Sequence, residues 1–94
     1  MRLLGRDKIE EFKKDHASSR KSLDNWVKAI EGCNATNFVE LKKTFNSADQ
    51  VGNKTVFNAG GNKVRVIVIT VYVLAQATVT HVLTHEKYNE GKWK

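Results

Sequence analysis

The sequence predicts an α+β fold: a small antiparallel-rich sheet, made of a short N-terminal strand and a three-strand C-terminal meander, with two or three N-terminal helices packed on one face. Three observations carry this. The first half holds apolar stripes at helical spacing. The second half holds the run VRVIVITVY, rich in β-branched residues, whose continuous apolar character suits a central strand covered on both faces. Between an earlier strand and that run lies Asn58-Ala59-Gly60-Gly61-Asn62, a turn sequence because Gly and Asn reach positive φ at little cost.

In chain order, Arg2-Leu3-Leu4 reads as a short edge strand before Gly5. Asp7 is a candidate cap for a first helix over residues 8–16, with Ile9 and Phe12 on one face. The sequence His16-Ala17-Ser18-Ser19 is a break. Leu23, Trp26, Val27 and Ile30 then follow i, i+3, i+4, i+7 spacing in a second helix, and Gly32 stops it. Thr36 offers a cap for a short third helical segment carrying Phe38, Val39 and Leu41. Asn46-Ser47-Ala48-Asp49-Gln50 reads as loop and residues 53–57 as strand. After the long strand, a second hairpin turn falls near Leu74-Ala75-Gln76, and residues 77–84 return as the last strand. His85-Glu86-Lys87-Tyr88 begins a final helical turn, and residues 89–94 read as a polar, mobile tail. Consecutive strands joined by short turns pair antiparallel, and the helices must cover one sheet face to bury the Trp26 stripe.

Ninety-four residues support one domain, residues 1–94. A chain of this size buries about 60–65% of the surface it exposes when unfolded, enough for one modest core. Hydrophobic content of 40% and charged content of 28% fit a soluble globular protein, and no apolar run reaches the roughly 18–20 residues of a membrane span. MRLLGRDK lacks the apolar core of a signal peptide, and Cys33 is the only cysteine, so a reducing cytoplasm is the expected location. Sixteen Lys and Arg against ten Asp and Glu give a net charge of +6, which points to nucleic acid, an acidic protein or an anionic surface.

The candidate chemistry gathers at one rim. Asn58, Asn62, Lys63 and Arg65 surround the first turn, and Lys63 and Arg65, two apart, leave the same side of their strand. They form either a grip for a phosphate or a soluble hairpin tip. In a three-strand meander the first turn and the end of the last strand share a rim. His85 and Tyr88, one helical turn apart, are therefore expected to meet Lys63 and Arg65. Cleaving RNA without a metal needs a base for the ribose 2′-OH, cations for the phosphorane and an acid for the leaving oxygen, and His, Tyr, Lys and Arg suffice. His85 can equally be a strand-end histidine in a surface hydrogen bond. His16 reads as a helix C-terminal capping cation, His81 as structural, and Trp93 as either a base-stacking or a disordered tail residue. His81 and His85 are four apart across a strand end, which makes no helical ligand pair, so no metal site is read.

The segment VFNAGGNKVRV, followed about twenty residues later by THEKYN, closely resembles the HigB toxins of bacterial type II toxin–antitoxin modules, within the RelE-like superfamily. The resemblance extends over nearly the whole chain. It implies an mRNA interferase of the RelE-like fold, an endoribonuclease acting on mRNA in the ribosome without a cofactor, and a neighbouring HigA-type antitoxin with a helix-turn-helix domain, joined to it in a hetero-oligomer. The family's motif positions fall on Asn58, Asn62, Lys63, Arg65, His85 and Tyr88, and Lys54 joins them by position on the neighbouring strand. On this reading Arg65, Lys63 and Lys54 hold the scissile phosphate, His85 or Tyr88 serves as general acid or base, and Asn58 and Asn62 shape the turn and touch RNA. The chain departs from the family pattern at Asn89, where relatives usually carry Asp after the Tyr, and at Thr80, where they often carry Arg. The alternative reading is a basic protein of weak or lost activity that still binds RNA or its antitoxin.

Overall fold

The computed structural model describes residues 1–60 and 63–94, so Gly61 and Asn62 in the first turn lie outside the described residues. In chain order the elements are β1 (Arg2–Leu4), α1 (Arg6–Asp15), a 3₁₀ turn (Ala17–Ser19), α2 (Arg20–Glu31), α3 (Phe38–Thr44), β2 (Asp49–Val51), β3 (Lys54–Ala59), β4 (Val64–Val71), a second 3₁₀ turn (Tyr72–Leu74), β5 (Gln76–Thr84) and α4 (His85–Asn89). The strands form one sheet in the order β1-β5-β4-β3-β2. The β-branched run is its central strand, antiparallel to β3 on one side and β5 on the other.

Three features differ from the sequence expectation. β1 pairs parallel with β5, Leu3 opposite Ala77, which makes the sheet mixed. Asp49–Val51, expected to be largely loop, is a fifth strand. Gly52, at φ 61°, and Asn53 make a two-residue hairpin that folds it onto Lys54–Val56. The N-terminal helices α1, α2 and α3 bury their apolar residues on one side as expected, but the tail, expected to be mobile, joins α4 in covering part of the other.

Strand periodicity sorts β4 between the two sides. Val64, Val66 and Val68 join the main core with Leu23, Trp26, Val27 and Ile30 of α2, Ile9 of α1 and Leu41 of α3. Arg65 and Ile67 point the other way, where Ile67 packs with Val56 and Trp93. At full burial each large apolar side chain stabilises the fold by about 1.5–3 kcal/mol, so the α2 stripe alone anchors the helix layer. Gly32 terminates α2 as expected, and the Met1 nitrogen donates to the carbonyls of Ile30, Glu31 and Cys33 there. Asn37, not Thr36, caps α3 by accepting from the Glu40 N–H. Gly5 lies against β5 so closely that a Cβ would stand 2.6 Å from the Val79 carbonyl oxygen, and only glycine fits.

β5 carries a bulge. Ile67 pairs with His81 and Val68 with Val79, which leaves Thr80 as the extra residue, its hydroxyl donating to the Ile67 carbonyl. The extra residue shifts the alternation. Ala77 and Val79 face the main core before the bulge, Val82 faces it after, and His81 and Leu83 swing to the opposite side. Among the described residues, no helix is long and apolar enough to cross a membrane.

Candidate active site

The site is built where β4 begins, β5 ends and α4 starts. The backbone N–H of His85 donates to the Lys63 carbonyl at 3.1 Å, tying the first residue of α4 to the β3–β4 turn. The Thr84 hydroxyl accepts from the Lys87 N–H and caps α4. These two contacts fix where His85, Tyr88 and Asn89 emerge on one side of the short helix.

Arg65 lies on the sheet face away from the main core and is only 8% exposed. Its Nη2 stands 3.0 Å from Nδ1 of His85, and its guanidinium carbon 5.4 Å from the centre of the Tyr88 ring. A guanidinium only donates, so Nδ1 must offer its lone pair. His85 in this arrangement is the neutral imidazole with its proton on Nε2. That nitrogen lies 3.2 Å from Nδ2 of Asn89, itself a donor, so an Nε2–H is satisfied once the amide is turned to present its oxygen. Among the described residues no carboxylate forms an ion pair with Arg65. A nearly buried cation held by a neutral imidazole and an aromatic face keeps its charge available for an anion.

Of the residues singled out in the sequence, the structure brings Arg65, His85 and Tyr88 into contact. Asn58 stands opposite Arg65 in the β3–β4 ladder and on the same face. Lys63 is exposed on the rim, its carbonyl engaged by His85. Lys54 is not part of the cluster. It pairs with Ile69, four residues along β4 from Arg65 and so about 13 Å away, with Val56 and Ile67 under Trp93 in between. Asn62 lies outside the described residues. His81 is half-buried with its Nδ1 3.0 Å from the Thr80 hydroxyl, and His16 stacks on Phe12 with Nδ1 3.1 Å from the Phe12 carbonyl, a helix-end contact as expected.

Trp93 corrects the reading of a mobile tail. It is 6% exposed, stacks on Tyr88 at 5.0 Å, and donates from its indole nitrogen to the Tyr88 carbonyl at 2.8 Å. It thereby holds the ring that lies under Arg65. Its signal in the sequence was indirect: Val56 and Ile67, on the sheet face opposite the helices, needed an apolar cover.

A search of curated proteins returned no match. A family model for HigB toxins, described as the RelE-like toxic component of a toxin–antitoxin system, matches residues 19–91, which include α2, α3, β2 to β5 and α4. The matched span contains Asn58, Arg65, His85, Tyr88 and Asn89, and the chain belongs to the HigB toxin family, the RelE-like toxic component of a toxin–antitoxin system.

Proposed function

We propose that this toxin is an endoribonuclease that cleaves mRNA on the ribosome in the cytoplasm, needs no metal, and is neutralised by a HigA-type helix-turn-helix antitoxin. The observation that carries the reading is the 3.0 Å contact between Arg65 and His85, with Tyr88 beneath the guanidinium. A scissile phosphate entering the site draws the guanidinium towards its oxygens, where a bidentate pair forms. That movement releases the Nδ1 lone pair of His85 beside the ribose 2′-OH, which it deprotonates. The 2′ oxygen attacks phosphorus, and Arg65, with Lys63 on the rim, offsets the charge of the phosphorane. On this reading the Tyr88 phenol protonates the departing 5′ oxygen. Lys54 and Asn58, along the same sheet face, contact flanking nucleotides, as would Asn62 in the turn.

A second reading, a protein that binds RNA or antitoxin without cutting, is favoured by one feature: Arg65 is 8% exposed and already engaged by two side chains. Expression of wild type, Arg65→Ala and His85→Ala, with growth and mRNA decay followed, separates the two. The ribonuclease reading expects arrest and decay with wild type and relief with both variants. Arrest that neither variant relieves removes this site from the mechanism, and a wild type without effect supports binding alone.

A further inference from the structure

β5 is nine residues long, but β1 covers only its first three, Gln76, Ala77 and Thr78. Gly5 turns the chain away at Val79, so from Thr80 to Thr84 the outer edge of β5 has no strand beside it among the described residues. Natural edges are blunted by charges, prolines or brevity. The opposite edge obeys this, since β2 is three residues, exposed and acidic at Asp49. The free half of β5 reads Thr-His-Val-Leu-Thr, all half-buried, with no Lys, Glu, Asp or Pro.

That edge lies between two hollows on opposite faces of the sheet, and His81 and Leu83 line both. One, about 350 Å³, is closed by Lys8, Glu11, Phe12, Asp15 and His16 from the α1 side, two carboxylates against one ammonium. The other, about 250 Å³, is closed by Lys87, Lys92 and Trp93 from the α4 side. An added strand sends successive side chains to opposite faces, so one that hydrogen-bonds to Thr80–Thr84 places them alternately in the two hollows. On the α4 side two ammonium groups, Lys87 and Lys92, share one carboxylate, Glu90, and the chain as a whole carries +6.

We infer that the free edge of β5 is the antitoxin-docking site, taking an extended segment whose alternate side chains are apolar or acidic on the α4 side and apolar or basic on the α1 side. The inference rests on membership of a toxin–antitoxin family and not on the ribonuclease reading. A strand seated there ends against α4, whose first residue is His85, and its α4-side residues lie on the sheet face that also carries Arg65.

The test is amide hydrogen exchange on the whole chain, alone and in complex with the co-expressed antitoxin encoded by the adjacent gene. The outward amides of Thr80–Thr84 are expected to exchange freely in the toxin alone and to slow at least about tenfold in the complex. His81→Glu places a charge between the two hollows and is expected to weaken the complex by about tenfold or more while the melting temperature of the toxin alone holds. If that variant fails to fold, the wild-type exchange pattern decides alone. Protection confined to the Arg65–His85 face or to the exposed Val73-Leu74 turn, with Thr80–Thr84 unchanged, overturns the inference. So does protection of the edge that appears in the toxin alone and grows with its concentration, which marks a second copy as the occupant.

Discussion

Under α1, α2 and α3 the sheet presents Phe57, Val64, Val66, Val68, Ala77 and Val79, all essentially inaccessible. Its opposite face presents Lys54, Val56, Asn58, Arg65 and Ile67, and among the described residues Leu83, Tyr88 and Trp93 pack on the apolar pair. One strand, β4, supplies both faces through its alternate residues. The comparison teaches that a run which reads as uniformly buried divides the work. The even-numbered valines hold the helix layer, and the odd-numbered positions set a cation on a rigid floor with one aromatic cover. Rigidity comes from the first face, and the second carries the candidate site.

The largest stability effect is expected on the helix side. Phe57 is 1% exposed and meets Trp26 and Phe45 edge-on at 5.3 and 4.9 Å, so Phe57→Ala is expected to cost about 3–5 kcal/mol in chemical denaturation. On the site side, Trp93→Ala removes the cover of Val56 and Ile67 and the support of Tyr88, with an expected loss of about 2–3 kcal/mol and a drop in RNA cleavage. A loss below about 0.5 kcal/mol would return the tail to the mobile state and erase the contrast between a covered and an open half of that face.

Smaller effects sharpen the picture. The Tyr72 hydroxyl is buried without a partner, and Tyr72→Phe is expected to raise stability by up to about 1 kcal/mol. Burial, with a lesser contribution from Cys33, pushes that phenol above its ordinary value of 10.0. The fold therefore holds the neutral form while the unfolded chain ionises. Stability is full below about pH 10 and declines as pH rises beyond it, and Tyr72→Phe should remove that alkaline decline in pH-dependent melts. The smallest effect lies at α3. The Thr36 hydroxyl donates to Glu40 at 2.6 Å and the Thr36 backbone N–H at 2.8 Å, holding the Glu40 carboxyl below its usual 4.5. This contribution is present above pH 4.5 and fades as pH falls through the lower folded value, so wild type and Glu40→Gln should differ in melting temperature near neutrality and converge in acid.

Much of the helix side was legible in the sequence, because helical spacing of Leu23, Trp26, Val27 and Ile30 and a β-branched run are strong local signals, and all four stripe residues are buried. The meeting of Arg65 with His85 was legible for a topological reason: a meander returns its last strand to the rim of its first turn. What escaped was non-local or short. Nothing within Arg2-Leu3-Leu4 states that its partner is Gln76-Ala77-Thr78, nor that the pair is parallel. Asp49-Gln50-Val51 is exposed and lacks alternation, and only Gly52-Asn53 hints that it doubles back. The bulge at Thr80, which reverses the facing of His81 and Leu83, depends on a hydroxyl reaching a carbonyl on the next strand. Lys54 was grouped with the cluster by strand adjacency, but register places it two rungs away along the same face.

The central claim, that the Arg65–His85 pair performs 2′-OH attack on RNA, is tested most directly by the termini of RNA cut in vitro by purified toxin with EDTA present, comparing wild type with His85→Gln. The account predicts 2′,3′-cyclic phosphate and 5′-hydroxyl ends from wild type and a fall in rate of about 100-fold or more with the variant. Ends bearing 3′-hydroxyl and 5′-phosphate, or cleavage that His85→Gln leaves unchanged, would contradict it.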